Sequence, residues 1–384
     1  MRVRRLTLDR FRNYGSVRLD SEGAPVVLTG SNGAGKTNLL EALSLLSPGR
    51  GLRGEPYETL ARDAGEAWAI AAEIEGPDGE AKIGTAWQSS SGEARQVKID
   101  GTQQRGSGAI ARHVRVLWLT PAMDRLFTAS AGERRRFLDR LVAAFDPEHG
   151  TRVNQFERAM RERNRLLEDA EPDRKWLSAV EEQMAEGAVA IAAARRLAVE
   201  ALSTYVAETR TARSGGAFPW VSMTIVGEIE DGLASSPAVK VEDDYRRTLQ
   251  DSRRLDQAAG RTLNGPHRAD LQVTHGPRGM AAEKCSTGEQ KALLIGITLA
   301  HARAVRDAFS GFVPLLLLDE VVAHLDRARR EGLFEELAEL GAQAWMTGTD
   351  AALFAGFDGK ARFMTVEAGQ VAPCEAPHGP VRGP

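Results

Sequence analysis

The fold of this chain is decided by one stretch, Gly30-Ser31-Asn32-Gly33-Ala34-Gly35-Lys36-Thr37. It matches the pattern G-x-x-x-x-G-K-[ST] at every fixed position. A short apolar, β-rich run at 26–29 precedes it and leucines at helical spacing follow it, so we expect a strand, a glycine turn and a helix. Glycines let successive backbone N–H groups face a phosphate, and the helix N-terminus adds partial positive charge. The stretch therefore predicts a phosphate-binding loop, the alternative being a glycine-rich surface turn.

Two side chains of this loop would act on a nucleotide directly. Lys36 can reach the β- and γ-phosphates and take part in catalysis, and the hydroxyl of Thr37 can ligate Mg²⁺. We therefore predict ATP and Mg²⁺ as cofactors. The predicted nucleotide-binding residues of the loop are Gly30, Ser31, Asn32, Gly33, Ala34, Gly35, Lys36 and Thr37.

A second pattern is a run of four leucines, Leu315 to Leu318, that ends in Asp319 and Glu320. Such a run predicts a strand buried in an α/β sheet, and open α/β sheets place ligands at the C-terminal ends of their strands. In an ATPase, Asp319 would hold Mg²⁺ and Glu320 would orient or deprotonate the attacking water. The alternative is an acidic strand end that caps a neighbouring helix.

A third pattern begins an apolar helix near residue 286. Ser286 and Glu289 have the spacing of a capping box, which by itself explains these residues structurally. A helix N-terminus with serine and glycine is also an anion site suited to a γ-phosphate. Because the chain already has one such site at 30–37, we predict that the second site serves ATP bound to a partner subunit.

The composition limits the class of protein. The chain has 384 residues, of which 42% are hydrophobic and 27% charged, as in a soluble globular protein with about two domains. Cys285 and Cys374 are too far apart for a disulfide framework or a clustered metal site, so we expect a reducing cytoplasm. No apolar run approaches the about 20 residues of a membrane span. The net charge of −3 means that any nucleic-acid surface must be local.

The remaining sequence divides into a β-rich part and a helical part. Residues 65–118 contain several strand candidates, and residues 3–11 alternate like an edge strand with a basic face. From about 122 to 212, alanine, leucine, arginine and glutamate dominate, which predicts a helical insertion without a long coiled coil. Residues 243–255 predict one charged helix. The chain past Glu367 is rich in Pro and Gly, which predicts a frayed tail.

Together these motifs resemble the ABC-type ATPase heads and, within them, the RecF family of DNA replication and repair proteins. The resemblance extends from the N-terminus to about residue 350. The phosphate-binding loop is common to many families, whereas FRNY with GPHRADL and STGEQ is much more specific. The motifs that carry the resemblance are FRNY at 11–14, GSNGAGKT at 30–37, ERRRFLDR at 133–140, GPHRADL at 265–271, STGEQKALL at 286–294, LLLLDE at 315–320, AHLD at 323–326 and TGTD at 347–350.

The resemblance implies roles for further residues. It implies that Asp326 lies at a dimer interface and that Arg12 and Asn13 approach the nucleotide. Thr347 stands where many ABC-type proteins carry a switch histidine. The residues that match the signature motif, which contacts ATP on the opposing subunit, are Ser286, Gly288, Glu289 and Gln290.

The fold implied is α/β, namely an ABC-type P-loop ATPase head with a mixed β-sheet flanked by helices and an inserted helix-rich lid. We expect an ATPase domain at 1–120 plus 265–365, a lid that binds DNA at 121–264 and a flexible tail at 366–384. The resemblance implies a slow, DNA-stimulated ATPase that dimerises on ATP and helps to load a recombinase after DNA damage, as in the SOS response. The implied partners are gapped DNA with single-stranded and duplex parts, a second copy of the chain, and mediators of the RecO and RecR type.

Two other classes of protein stay open. The ATPase subunit of a membrane transporter would share the phosphate-binding loop, but the helical insertion and the FRNY start argue against it. A chromosome-structure head of the SMC type is disfavoured by the missing long coiled coil. Arginines at 134–136 and between 246 and 268 are candidates for contacts with DNA phosphates, although a solvated helix face is the commoner explanation of such runs.

Overall fold

A computed structural model describes residues 1–64, 66–92, 94–169, 173–212, 217–357 and 359–376. The chain divides into two compact units. The first comprises Met1–Asp124, Arg213–Phe218 and Leu294–Pro384, and the second comprises Arg125–Ala212 and Pro219–Leu293. The sequence predicts residues 265–293 in the ATPase domain, whereas here they belong to the second unit. Which residues function as the ATPase domain therefore stays a prediction.

The strands and helices of the described residues follow in chain order. The strands are β1 (Arg2–Phe11), β2 (Tyr14–Asp20), β3 (Val26–Thr29), β4 (Trp68–Gly76), β5 (Gly79–Trp87), β6 (Gln96–Ile99), β7 (Thr102–Gln103), β8 (Val116–Leu119), β9 (Val221–Val226), β10 (Asp270–His275), β11 (Met280–Ala281), β12 (Leu315–Leu318), β13 (Ala344–Gly348), β14 (Arg362–Glu367) and β15 (Gln370–Pro373). The α-helices are α1 (Lys36–Ser44), α2 (Ala131–Phe145), α3 (His149–Glu168), α4 (Arg174–Ala212), α5 (Glu228–Ser235), α6 (Ala238–Asp251), α7 (Arg253–Ala259), α8 (Thr287–Ala308) and α9 (Arg327–Leu340).

An antiparallel sheet with the order β2-β1-β4-β5-β6-β7 occupies the first unit. The prediction of an edge strand at 3–11 is wrong, because β1 pairs with β2 on one side and with β4 on the other. Its alternation arises instead from one buried face, on which Val3, Leu6 and Leu8 join the hydrophobic core. The charged side chains on the other face form ion pairs with neighbouring strands, as Arg5 does with Asp20.

A second sheet of the first unit has the order β15-β14-β3-β13-β12-β8 and is parallel except for β15. All four leucines of β12 are buried, as expected for a parallel strand covered on both faces. The strand β13 lies between β3, which leads into the glycine loop, and β12, which leads into the acid pair. The C-terminal ends of these three strands therefore meet at one edge of the sheet.

The C-terminal segment departs from the prediction of a frayed tail past Glu367. Residues 370–373 form β15, which pairs with β14, so the prediction is wrong for these residues. The turn at Ala368 and Gly369 has positive φ angles at both residues, which allows the chain to reverse into this hairpin. The last part of the predicted tail, residues 377–384, lies outside the described residues.

The second unit contains the helices α2 to α7 and a small antiparallel sheet with the order β11-β10-β9. Its hydrophobic core is formed by α3, α4, α5 and α6 and includes Phe156, Met184 and Tyr245. The single helix predicted at 243–255 is two helices, α6 and α7, with Ser252 between them. The helix α8 begins in the second unit and continues into the first from Leu294. Across the residues described, none of the helices combines the length and apolarity that a bilayer crossing needs.

Candidate nucleotide-binding site

The glycine loop joins β3 to α1, as the sequence predicts. Gly30, Gly33 and Gly35 have φ angles of 148°, 80° and 115°, in a backbone region that L-residues with side chains rarely adopt. A Cβ atom at Gly30 would also lie 2.2 Å from the carbonyl oxygen of Val366. The helix α1 starts at Lys36 without a side-chain cap at Gly35. Its first N–H groups and its dipole are therefore presented to whatever the loop binds.

The ammonium group of Lys36 bends back over the loop. Its Nζ donates hydrogen bonds to the carbonyl oxygens of Gly30 at 2.7 Å and Ser31 at 2.9 Å. Burial lowers the pKa of Lys36, and the nearby carboxylates of Glu320 and Asp319 oppose this shift. The loop lysine and the acid pair therefore share one electrostatic environment, although they are far apart in the sequence.

A direct hydrogen bond joins the loop to the end of β12. Thr37 Oγ1 donates to the carboxylate of Asp319, at 2.9 Å from Oδ1 and 3.1 Å from Oδ2. Hydroxyl and carboxylate oxygens are the hard ligands that Mg²⁺ prefers, usually in company with water and phosphate oxygens. The two residues predicted to hold Mg²⁺ therefore lie together and fit that ion chemically.

The acid pair is completed by a threonine of β13. Thr347 Oγ1 donates to Asp319 Oδ1 at 2.8 Å and accepts from the backbone N–H of Glu320 at 2.9 Å. Glu320 has a φ angle of 52°, which is uncommon for a residue with a side chain and marks a sharp turn after the strand. Asp319 is buried, whereas Glu320 is half-buried. The turn therefore separates the environments of the two carboxylates.

The turn between β1 and β2 contacts the outside of the glycine loop. Asn13 Nδ2 donates to the carbonyl oxygen of Ala34 at 3.0 Å, and the Tyr14 hydroxyl donates to that of Gly35 at 2.9 Å. Asn38 of α1 donates in turn to Asn13 Oδ1 at 2.8 Å. These bonds direct loop carbonyls toward the 11–14 turn, which favours N–H groups facing the other way.

The predicted nucleotide ligand Arg12 bonds to protein carboxylates here. Its Nε and Nη2 atoms lie 2.8 Å from the two oxygens of Glu41, and Nη2 is also 2.6 Å from Glu55. Glu41 lies on α1 with 1% of its side chain exposed and also accepts from Arg53. Sequence reasoning missed Glu41 and Arg53. The available signal was a carboxylate within the apolar run of α1, because a buried charge requires a cationic partner.

The signature residues lie at the start of α8, in the second unit. The capping box is present, since Glu289 Oε2 accepts from the Ser286 N–H at 3.0 Å and Ser286 Oγ lies 3.4 Å from the Glu289 nitrogen. The hydrogen bond from the Ser286 backbone is the main cause that lowers the pKa of Glu289. Gln290 is buried and donates to the carbonyl oxygen of Cys285 at 2.9 Å, while Gly288 is exposed. The N-terminus of α8 is thus stabilised by hydrogen bonds among its own first residues and to Cys285.

Asp326, predicted at a dimer interface, is the N-cap of α9. Its Oδ1 accepts from the backbone N–H of Arg329 at 2.8 Å, and the residue is exposed. This contact explains the aspartate structurally, and its second oxygen, Oδ2, lies 3.6 Å from Arg329 Nε in an ion pair.

Several of the arginines proposed to contact DNA have partners within the second unit. Arg134 pairs with Asp270 at 2.6 Å, and Arg135 donates to the carbonyl oxygen of Ala269 at 2.6 Å. These bonds join the motifs ERRRFLDR and GPHRADL to each other. Likewise, Arg253 pairs with Glu181 at 2.5 Å. The exposed arginines of the same segments are Arg136, Arg247, Arg254, Arg261 and Arg268.

Comparison with known proteins defines the class. Residues 2–371 match the family model described as the RecF/RecN/SMC N-terminal domain. The Smc head domain of Pyrococcus furiosus, solved with the C-terminal domain of ScpA, has a similar fold, with a TM-score of 0.53, 16% identity and coverage of 97% of this chain and 96% of that chain. The fold and the phosphate-binding loop together define an ABC-type ATPase head of the RecF/RecN/SMC kind.

The relatives narrow this class. The DNA replication and repair protein RecF of Mesorhizobium japonicum is 52% identical over 375 residues, which are 97% of this chain and 98% of that protein. RecF of Rhizobium meliloti is 49% identical over 370 residues, covering 96% and 98% of the two chains. A solved structure of the recombination mediator protein RecF with ATP, in the RecFOR pathway, covers 97% of both chains with a TM-score of 0.83 at 22% identity. The chain belongs to the RecF family.

Proposed function

We propose that this chain is an ATP-dependent DNA-binding clamp of replication and recombinational repair. The observation that carries the proposal is the 2.9 Å hydrogen bond between Thr37 and Asp319, which are 282 positions apart. It joins the glycine loop to the acidic strand end, as a site for Mg²⁺ and ATP requires. Membership of the RecF family supports the repair role, because relatives in it carry the name DNA replication and repair protein.

Within one subunit, the candidate site residues of the first unit have distinct roles in this proposal. The loop N–H groups and Lys36 bind the phosphates, and Thr37 and Asp319 hold Mg²⁺. When bound, Mg²⁺ neutralises charge on the β- and γ-phosphates. Glu320 orients or deprotonates the attacking water, for which a half-buried carboxylate at the strand end is suited. Asn13 acts through the loop that it contacts, and Arg12 through Glu41 of α1.

A second subunit supplies the remainder of the site in this proposal. The start of α8 carries the signature residues Ser286, Gly288, Glu289 and Gln290, of which Ser286 and Gly288 are exposed. It would close on ATP held by the partner, and Asp326 would lie at that interface. Binding energy of one ATP would thereby hold two copies together, and hydrolysis would release them. Because ATP acts as a switch, we expect slow hydrolysis that DNA stimulates.

The functional domains and partners extend the proposal. Residues 1–120 with 265–365 would function as the ATPase domain and residues 121–264 as a helical lid that contacts DNA. The solved RecF structure in the RecFOR pathway supports mediators of the RecO and RecR type as partners. Gapped DNA, with a duplex next to a single strand, is the proposed substrate, and the cytoplasm is the proposed location.

The test is sedimentation velocity of the wild type and of Lys36→Arg, each with and without ATP and gapped duplex DNA. We expect ATP to convert wild-type monomers into dimers that bind the DNA more tightly. Arginine keeps the charge but presents it in a different geometry, so hydrolysis should fall by about tenfold or more and the dimer should persist longer.

The clamp is wrong if ATP changes neither the oligomeric state nor the DNA affinity of the wild type. Failure to bind duplex DNA, combined with co-purification of a membrane protein, would favour the transporter alternative instead. A comparison of gapped, duplex and single-stranded DNA in the same experiment measures the proposed substrate preference.

A further inference from the structure

Thr347 lies where the C-terminal ends of β3, β13 and β12 meet in the parallel sheet. It lies near the end of β13, the strand between β3 and β12. Its side chain is buried, and its hydroxyl contacts both members of the acid pair, donating to Asp319 Oδ1 at 2.8 Å and accepting from the N–H of Glu320 at 2.9 Å. A threonine hydroxyl has a single proton to donate. In this arrangement that proton is given to Asp319, so none is left for a phosphate.

The contact with Glu320 supports an unfavourable backbone conformation. A φ angle of 52° costs free energy in a residue with a side chain and persists only where its surroundings hold it. The N–H of Glu320 has Thr347 as its acceptor, which fixes the peptide plane between Asp319 and Glu320. The direction in which the Glu320 side chain leaves the strand therefore depends on the hydroxyl of Thr347.

The contact with Asp319 extends the same chain of hydrogen bonds to the glycine loop. Asp319 Oδ1 accepts from Thr347 at 2.8 Å and from Thr37 at 2.9 Å. Two hydroxyl groups thus hold the carboxylate, one from the first turn of α1 and one from β13. Removal of one of them leaves a buried carboxylate oxygen with fewer donors and freedom to rotate.

We propose that Thr347 is a positioning residue of the nucleotide site, which fixes the Asp319 carboxylate and the backbone of Glu320 for Mg²⁺ and ATP. By the resemblance, many ABC-type heads carry a switch histidine at the corresponding position. Thr347 differs from that histidine because it acts through the acid pair and not on the γ-phosphate. The proposal deepens the ATPase function proposed above and rests on it.

The test compares three variants of the full chain. Thr347→Val removes the hydroxyl at nearly constant shape, and Thr347→Ser retains it. Thr298→Val is the matched control, because Thr298 is also buried and its hydroxyl donates only within α8, to the carbonyl oxygen of Leu294 at 2.9 Å. Each variant is measured for thermal unfolding, for single-turnover ATP hydrolysis, and for the affinity of a fluorescent ATP analogue with Mg²⁺ and with EDTA.

The expected results separate positioning from folding. Thr347→Val should lose about tenfold in affinity with Mg²⁺ but little in EDTA, and its hydrolysis should fall by about a hundredfold, since small misplacements of catalytic groups cost that much. Thr347→Ser should stay within about threefold of the wild type in every measurement, because its hydroxyl can make the same bonds. Thr298→Val should bind and hydrolyse ATP like the wild type.

A double-variant cycle supplies a second measurement. Adding Thr347→Val to Asp319→Asn should cause little further loss of Mg²⁺-dependent affinity, because the carboxylate that Thr347 positions for Mg²⁺ is then already absent. Fully additive losses would overturn the proposal. So would a Thr347→Val protein with wild-type Mg²⁺ dependence and hydrolysis, or, if that variant does not fold, a folded Thr347→Ser protein that has lost the Mg²⁺ dependence. A wild type that neither binds nor hydrolyses ATP would instead overturn the proposed function itself.

Discussion

Tyr14 lies behind the glycine loop with its ring buried and its hydroxyl 2.9 Å from the carbonyl oxygen of Gly35. Burial raises the pKa of this hydroxyl above its ordinary range, so it remains a donor at physiological pH. A Cβ atom at Gly35 would lie 2.7 Å from the same hydroxyl, so the two groups are in close contact. The geometry of the loop is therefore held partly from outside the loop.

Replacement of this donor gives a prediction about nucleotide affinity. Tyr14→Phe keeps the ring and removes one hydrogen bond to a loop carbonyl, so ATP affinity should fall by about fivefold. The matched control is Tyr57→Phe, because the Tyr57 hydroxyl also donates to a backbone carbonyl, that of Gly49 at 2.9 Å, but in an exposed loop. Titration with a fluorescent ATP analogue measures both. Equal affinities for the two variants would show that the Tyr14 bond does not support the loop.

Glu41 and Glu55 accept hydrogen bonds from the same arginine but differ in burial. Glu41 has 1% of its side chain exposed, whereas Glu55 has 42%. Both are bonded to Arg12 Nη2, at 2.8 Å and 2.6 Å. Burial without an anionic partner is costly for a cation, whereas surface ion pairs contribute little. The ion pair of Arg12 with Glu41 is therefore a buried one, whereas its ion pair with Glu55 is a surface one.

The prediction at this site concerns stability. Glu41→Gln should lower the apparent free energy of unfolding by about 3 kcal/mol, because it leaves Arg12 and Arg53 without their buried counter-charge. Glu55→Gln, the control at the same arginine, should cost less than about 1 kcal/mol. Urea unfolding followed by circular dichroism measures both values. Similar losses in the two variants would mean that burial of Glu41 does not decide its contribution.

At the scale of elements, one carboxylate joins three helices of the second unit. Asp139 of α2 accepts from His149 of α3 at 2.8 Å and from Arg195 of α4 at 2.8 Å and 2.9 Å. Burial acts to raise the pKa of Asp139, but the hydrogen bonds from His149 and Arg195 prevail and lower it below the ordinary value of 3.8. A group with a lowered pKa stabilises the fold above its ordinary pKa and loses this contribution as the pH falls through the folded value.

Acid unfolding should therefore depend on Asp139. Below about pH 4 the thermal midpoint of the wild type should fall more steeply than that of Asp139→Asn, which cannot take up this proton. At pH 7 the variant should already be less stable by about 3 kcal/mol, since it breaks a buried ion pair. Thermal melts from pH 7 to pH 3 measure both effects. Asp244→Asn, at an exposed pair with Arg247, is the control and should follow the wild type, whereas parallel profiles for Asp139→Asn would contradict the prediction.

At the scale of the whole molecule, the two helix N-termini that are predicted to bind phosphate belong to different units. The glycine loop and α1 are in the first unit, and the signature residues at the start of α8 are in the second. If each complete site takes one helix end from each of two copies, damage to different ends in different copies should be complementary. If one copy carries damage to both ends, its heterodimer with the wild type should contain no complete site.

Mixing variants tests this composite site. Lys36→Ala and Ser286→Arg should each fail to dimerise with ATP when alone, because one removes the phosphate ligand and the other obstructs the signature. A mixture should form heterodimers, since one site then has an intact loop and an intact signature. The control mixes the wild type with a chain that carries both substitutions, whose heterodimers contain no complete site. Sedimentation with ATP reads the outcome, and a Ser286→Arg protein that dimerises normally alone would contradict the model.

The sequence by itself determined the local features of this protein. The strand, glycine turn and helix around residues 26–44, the buried leucine strand before Asp319, and the capping box of Ser286 and Glu289 are all present in the structure. Each of these features depends on residues within a few positions of one another, so spacing and residue type carry the information. The motifs also identified the RecF family, to which the comparisons assign the chain.

Only the tertiary structure decided which distant residues meet. The order β3-β13-β12 places Thr347 between the glycine loop and the acid pair, and the β1–β2 turn directs Arg12 to Glu41. The same limit explains the wrong edge strand at 3–11, because the second pairing partner of β1 is β4, which is far from it in the sequence. The wrong tail at 370–373 has another cause, because β15 pairs with its sequence neighbour β14 although Pro and Gly are frequent in this segment. Periodicity reveals that one face is buried but not what buries it.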